Sequence, residues 1–203
     1  MNYKLLNDCE ENEAKEGMPV DSYLEKKLID ERKIIISSGV DSKMAERIIK
    51  SLFLLDAIDN TKPITVIINS PGGEVFSGFA IYDIMKAIKS PVITLVAGFA
   101  ASMGSIIMLG SEKGHRYATK NAKVLIHQPL ISGMFQGRAM EIEIQAKEIV
   151  ETKNRIIKLY VDETGQAEDK IAKDVELDYW MTAEEALEYG LIDKIIESMD
   201  EVV

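Results

Sequence analysis

A chain of 203 residues, 46% hydrophobic and with only 5 prolines, is long enough to bury a core and too apolar to be disordered. Its formal charge of −10 argues against a nucleic-acid binder, whose footprint is a basic patch. Cys9 alone supports neither an internal disulfide nor a zinc cluster. The acidic start M-N-Y-K-L-L-N-D-C-E-E-N lacks a signal peptide's apolar core, and no apolar run approaches the ~20 residues of a membrane span, so a soluble, intracellular, single-domain protein is expected.

In chain order, residues 1–20 lack a sustained apolar period and are read as a flexible arm ahead of one domain over 21–203. Lys33–Ser37 reads as a strand, and Asp41 caps a helix that runs towards Asp59. Ile64–Ile68 is a buried strand ended by N-S-P-G-G, followed by a helix over Ser77–Ile88. Val92–Val96 is a third strand, leading into G-F-A-A-S-M-G-S and a short apolar helix to about Leu109. This strand–turn–helix order predicts an α/β fold of parallel strands joined by helical crossovers. Short strands at His115–Ala118 and Lys123–Ile126 flank a turn at Lys120–Asn121. From Gly137 to about Glu163 a long charged helix carries Ile142, Ile144, Ile149, Ile156 and Leu159; part of its apolar face is expected to meet another subunit. T-A-E-E at Thr182–Glu185 is a capping box for a helix that Gly190 ends.

A serine needs a base before it becomes a nucleophile, and the chain has 2 histidines. His115, beside Lys113 and Arg116, looks exposed and electropositive. His127 follows the apolar strand V-L-I, at a strand end where loops build sites. Ser102 follows Gly98, Ala100 and Ala101 at a helix start, where free N–H groups stabilise a developing oxyanion, and Gly72-Gly73 offers a second donor. Taken singly, these stretches read as packing and tight turns before they read as chemistry. With 34 acidic residues, charge does not select the group that orients the imidazole. Asp178 is attractive because L-D-Y-W sets it in an apolar run; Asp174, Glu176 and Asp193 compete. Ligand spacing for a metal is missing, as is a Walker pattern for an intrinsic ATPase.

Together, I-N-S-P-G-G, G-F-A-A-S-M-G-S, V-L-I-H-Q-P-L, F-Q-G-R-A-M-E-I-E-I-Q-A-K-E-I and M-T-A-E-E-A-L-E-Y-G-L-I-D resemble, in order from Tyr23 to Ile196, the ClpP family of serine peptidases. The resemblance implies a crotonase-like fold of stacked βαβ units with a protruding handle over about 131–163. It implies catalysis by Ser102, His127 and Asp178, with backbone N–H groups of Gly73 and Met103 as the oxyanion hole. It implies a homo-oligomer of heptameric rings stacked as a tetradecamer, cytoplasmic, cleaving unfolded polypeptides fed by a Clp-type AAA+ ATPase unfoldase. ATP is used only by that partner, and no intrinsic cofactor or metal is expected.

Four departures stand out. E-G-M-P-V-D-S-Y-L-E-K-K-L replaces the family's usual entry-loop segment. Thr65, Ile67 and Ala87 occupy positions that usually present aromatics to the ATPase. Leu177 replaces the arginine usually found before the acid, and L-I-S-G-M-F-Q-G makes the handle turn two residues longer. These motivate a second reading, a low-activity regulatory or structural paralogue that co-assembles with an active subunit. A third, an acyl-CoA enzyme on the related crotonase fold, explains the G-G turn but leaves Ser102, His127 and Asp178 without a role.

Overall fold

The computed structural model describes residues 20–130 and 136–202. The expected arm falls outside them up to residue 19, and so do residues 131–135 at the start of the expected handle. Where the arm was expected to end, a helix not anticipated from the sequence begins: α1, Val20–Asp30, lies beside the first strand and buries none of its side chains.

The first half of the domain alternates as the sequence predicts. β1 (Lys33–Ile36) leads to α2 (Ser42–Ile58), β2 (Ile64–Ser70), α3 (Val75–Ala87) and β3 (Val92–Ala101). Asp41 holds an extended backbone, and its Oδ1 accepts the Met44 N–H at 2.7 Å, satisfying one of the orphan donors at the α2 start. Met44, Ala45, Ile48, Leu52 and Leu55 recur at helical spacing and form the buried face of α2. On β2 the alternation is one of strand period: Ile64, Val66, Ile68 and Ser70 are buried, whereas Thr65 and Ile67 are half-buried on the opposite face.

β3 runs five residues beyond the expected Val96, through G-F-A-A. It continues because it changes partner: Thr94–Val96 pair with β4 (Arg116–Thr119), whereas Phe99–Ala101 pair with β5 (Lys123–Ile126). Gly98, at φ 113, sits at the changeover, where a β-carbon would lie 2.5 Å from the Asn69 amide oxygen. β4 and β5, expected as short strands around one turn, therefore do not pair with each other; each extends the sheet beside a different part of β3.

Among the described residues one seven-stranded sheet results, ordered β1-β2-β3-β4-β7 with β7 at Lys194–Ile196. Its pairings are parallel except where β6 (Tyr179–Thr182) runs antiparallel to β5. The main core packs one face against α2, α3, α4 (Met103–Met108) and the end of α5 (Ala139–Thr164), and includes Ile36, Ile48, Val66, Ile81, Ile106 and Ile157. A smaller cluster of Ile93, Leu95, Tyr117 and Ile196 covers the other face.

α5 is 26 residues long, and its buried residues, Ile156, Ile157 and Tyr160, all lie towards its C-terminal end. Met140, Ile142, Ile144 and Val150 are exposed on the remainder, so this helix projects from the domain as the expected handle. The short α6 (Glu168–Asp174) follows, and the Thr182–Glu185 capping box opens α7 (Ala183–Tyr189), which ends at Gly190 with φ 87. This is the crotonase-like α/β arrangement of stacked βαβ units.

Candidate active site

The C-terminal ends of β2, β3 and β5 meet at one edge of the sheet, where open parallel sheets place their sites. Ser102 is the first residue beyond β3. It holds φ 54 and ψ −122, a conformation that costs a non-glycine residue about 1–3 kcal/mol and persists only when its surroundings fix it. Here they do. The Ser102 N–H donates to the Leu125 carbonyl at 3.0 Å, and its own carbonyl accepts from the Ser105 N–H at 3.0 Å and the Ser105 hydroxyl at 2.7 Å. Ser105 is buried and also bonds the Tyr160 hydroxyl, so it faces the packing side of α4.

Gly72 explains why this turn requires glycine. At φ 81, a β-carbon there would lie 2.5 Å from the Ala101 carbonyl oxygen and 2.7 Å from both the Met103 nitrogen and the Ser102 β-carbon. The backbone of N-S-P-G-G is thus pressed directly against the Ser102 turn. Gly73 approaches Val40 just as closely, in an isolated parallel bridge. That bridge uses the Gly72 carbonyl and the Glu74 N–H. Among the described residues, neither the Gly73 nor the Met103 N–H donates a hydrogen bond.

The antiparallel β5–β6 ladder brings the other two side chains together. Ile126 pairs with Tyr179, and one step further along each strand stand His127 and Asp178. Side chains directly opposite in such a ladder are neighbours. His127 Nδ1 lies 2.9 Å from Asp178 Oδ1, and its Nε2 lies 2.8 Å from Ser102 Oγ. An ionised carboxylate only accepts hydrogen bonds, so Asp178 assigns the imidazole proton to Nδ1 and leaves Nε2 free to accept from the serine hydroxyl.

Asp178 is therefore the acidic group that reaches the imidazole, but not for the reason expected. Its side chain is 66% exposed, against 18% for His127, and Leu177 beside it is also exposed; the L-D-Y-W run does not bury the carboxylate. Strand register places it. The competitors are engaged elsewhere. Asp174 accepts from Lys170 and the Tyr189 hydroxyl; burial disfavours its charged form, but these partners and nearby lysine charge outweigh that and hold its carboxyl below the usual range. Asp193 accepts the N–H groups of Gly114 and Arg116, and Glu176 meets Gln128 through its carbonyl.

His115 lies far from this edge and is half-buried, with Nδ1 enclosed. Arg116, read as part of an exposed basic stretch, is instead fully buried. Its guanidinium binds the carbonyls of Leu109, Ser111 and Glu163 and the Glu163 carboxylate, tying β4 to the ends of α4 and α5. The strand expected over His115–Ala118 contains Arg116; what the sequence did not show is that its side chain turns into the core.

Among the described residues, no cluster of three or more His, Cys, Asp or Glu could hold a metal ion, and no helix is long and apolar enough to cross a membrane.

The description of the matching family model is Clp protease, and it spans residues 16–199. The chain is 51% identical over 179 residues to the ATP-dependent Clp protease proteolytic subunit 1 of Protochlamydia amoebophila, covering 88% of this chain and 87% of that protein. It is 46% identical to the protein of the same description from Chlamydia muridarum and 45% identical to that from Chlamydia trachomatis, in each case over 88% of this chain and 93% of the relative. With a matching family model over most of its length and relatives near half identical, the chain belongs to the Clp protease family.

Proposed function

We propose that Ser102, His127 and Asp178 are the catalytic triad of this Clp-type serine endopeptidase subunit. The observation that carries the reading is the continuous hydrogen-bonded line from Ser102 Oγ through both imidazole nitrogens to Asp178. Ser102 Oγ attacks the peptide carbonyl carbon as His127 Nε2 takes its proton, and Asp178 stabilises the imidazolium that forms. The free N–H groups of Gly73 and Met103 receive the oxyanion. The tetrahedral intermediate collapses with proton transfer from His127 to the leaving amine, and water then hydrolyses the acyl-enzyme by the same base. The chain's own side chains suffice, so the reaction takes no intrinsic cofactor or metal.

Clp protease subunits assemble into oligomeric proteolytic rings that work with Clp ATPases. For this chain we propose heptameric rings of one chain type stacked as a tetradecamer in the cytoplasm. An AAA+ unfoldase delivers unfolded polypeptide to them, and only that partner uses ATP. The apolar, exposed stretch of α5 with Met140, Ile142, Ile144 and Val150 supports a ring–ring contact. The outer-face positions Thr65 and Ile67 are half-buried and Ala87 is small and exposed, so unfoldase docking relies on aliphatic contact and is weaker than with an aromatic pocket. A low-activity regulatory subunit is not favoured, because the three groups stand within hydrogen-bond reach and the relatives are described as proteolytic subunits.

The test uses a fluorogenic peptide and a serine-directed fluorophosphonate on wild type and Ser102→Ala. Turnover and labelling confined to the wild type are expected; equal turnover and labelling in Ser102→Ala would sink the mechanism.

A further inference from the structure

Asp178 has little to hold it. Its side chain is 66% exposed, it follows an exposed Leu177, and it stands one residue before the β6 ladder begins. Its carboxylate nevertheless has to remain within hydrogen-bond reach of His127 Nδ1, and a displacement of about 1 Å in such a group costs on the order of a hundredfold in rate. Some group must fix the loop of residues 175–178.

The residue next to the base makes that connection. Past the His127–Asp178 position the β5–β6 ladder stops, and Gln128 does not continue it opposite Leu177. Its N–H donates instead to the Val175 carbonyl at 2.7 Å, and its side-chain Nε2 donates to the Glu176 carbonyl at 2.8 Å. The two acceptors are consecutive carbonyls of the loop that ends in the acid. On the far side, Tyr179 is paired with Ile126. Only Leu177 and Asp178 lie between these two anchored points. One residue, covalently joined to the base, thereby grips the segment that carries the acid.

We propose that Gln128 is a positioning residue for the triad, acting through Asp178, whose role is that assigned under the proposed function. The backbone bond survives any substitution except proline, so the side-chain amide is the separable part. Removing it frees the Glu176 carbonyl to turn to solvent and lets the acid drift from Nδ1, while the Ser102 turn and the core stay as they are. Because the amide touches neither the nucleophile nor the oxyanion donors, its loss lowers kcat rather than weakening substrate binding.

The experiment is a double-mutant cycle on the assembled enzyme, with Gln128→Ala, Asp178→Ala and the pair, following peptide turnover and the rate of fluorophosphonate inactivation. Gln128→Ala is expected to lower kcat by about tenfold or more with KM within about twofold, and to slow inactivation in parallel. In the Asp178→Ala background the same substitution is expected to change kcat by less than about twofold, because there is no acid left to position. Wild-type kcat in Gln128→Ala, or an equal fractional loss in both backgrounds, overturns the inference. Gln128→Glu is the second variant: it keeps the length and the backbone bond but replaces the donating amide with a carboxylate facing a carbonyl, and wild-type kcat in this variant overturns the inference even if Gln128→Ala fails to assemble. Wild-type kcat in Asp178→Ala alone removes the triad reading itself, which is a distinguishable result.

Discussion

Arg116→Met tests the reasoning about the buried ion pair that ties β4 to the base of the handle helix. Arg116 is fully buried, and its guanidinium donates to the Ser111 carbonyl at 2.9 Å, to those of Leu109 and Glu163 at 3.3 Å each, and to the Glu163 carboxylate. Glu163, with its side chain 13% exposed, is also held by Lys86 at 3.1 Å and by the Tyr82 hydroxyl at 2.9 Å. Methionine keeps most of the apolar stem and removes the charge. Breaking one side of a buried pair costs about 3–5 kcal/mol. Because Lys86 and Tyr82 stay on the carboxylate, the loss here falls at the lower end, about 3 kcal/mol. Against a total stability of about 5–15 kcal/mol, that is a substantial fraction.

The assay is urea unfolding followed by the fluorescence of Trp180, the chain's one tryptophan, at fixed protein concentration because assembly adds to apparent stability. The pH dependence is a second readout. Burial disfavours the Glu163 carboxylate, but the hydrogen bond and charge of Arg116, then Tyr82 and Lys86, outweigh it and hold the carboxyl below the ordinary glutamate value of 4.5. A carboxyl so lowered contributes stability that is fully present above 4.5 and is lost as pH falls through its folded-state value. The stability difference between wild type and Glu163→Gln therefore narrows as pH is taken below 4.5 and is constant above it. Arg116→Met within about 1 kcal/mol of wild type would refute the argument, since that is the range of an ordinary substitution.

Three further outcomes are expected. Gly72→Ala abolishes peptide turnover and fluorophosphonate labelling, because its β-carbon cannot share space with the Ala101 carbonyl and the Met103 nitrogen; labelling at the wild-type rate would contradict this. Asp41→Ala removes the cap on Met44 and lowers stability by about 1 kcal/mol in the same urea assay, with kcat unchanged. Gly190→Ala places a β-carbon at φ 87 and 2.9 Å from the Thr164 carbonyl oxygen, costing about 1–2 kcal/mol; an unchanged urea midpoint counts against it.

Much of the site was legible in the sequence because it is held in short motifs beside predicted strands. Ser102, His127 and Gly72-Gly73 each follow a strand end, and the parallel order of β2, β3 and β5 sends those ends to one edge. Asp178 was one of four acidic candidates read from the residues and was selected by resemblance; its physical basis is the antiparallel register that sets it opposite His127, which composition does not encode. The continuation of β3 to Ala101 was hidden because G-F-A-A carries the small residues of a turn, and only the change of partner from β4 to β5 keeps it extended. Arg116 and Gln128 escaped for a related reason. Each acts mainly on backbone carbonyls, Gln128 on that of Glu176 and Arg116 on those of Leu109, Ser111 and Glu163, and a carbonyl acceptor leaves no mark on residue identity.

The change of partner along β3 also divides labour within one strand. Ile93 and Leu95, beside Thr65 and Ile67 of β2, belong to the half that builds the outer apolar face, whereas Phe99–Ala101 belong to the half that leads into Ser102. Gly98 separates the two as a joint. The outer-face residue Leu95 pairs with β4, and the residues next to Ser102 pair with β5. The outer apolar face and the backbone that leads into Ser102 are therefore built by separate pairings of a single strand.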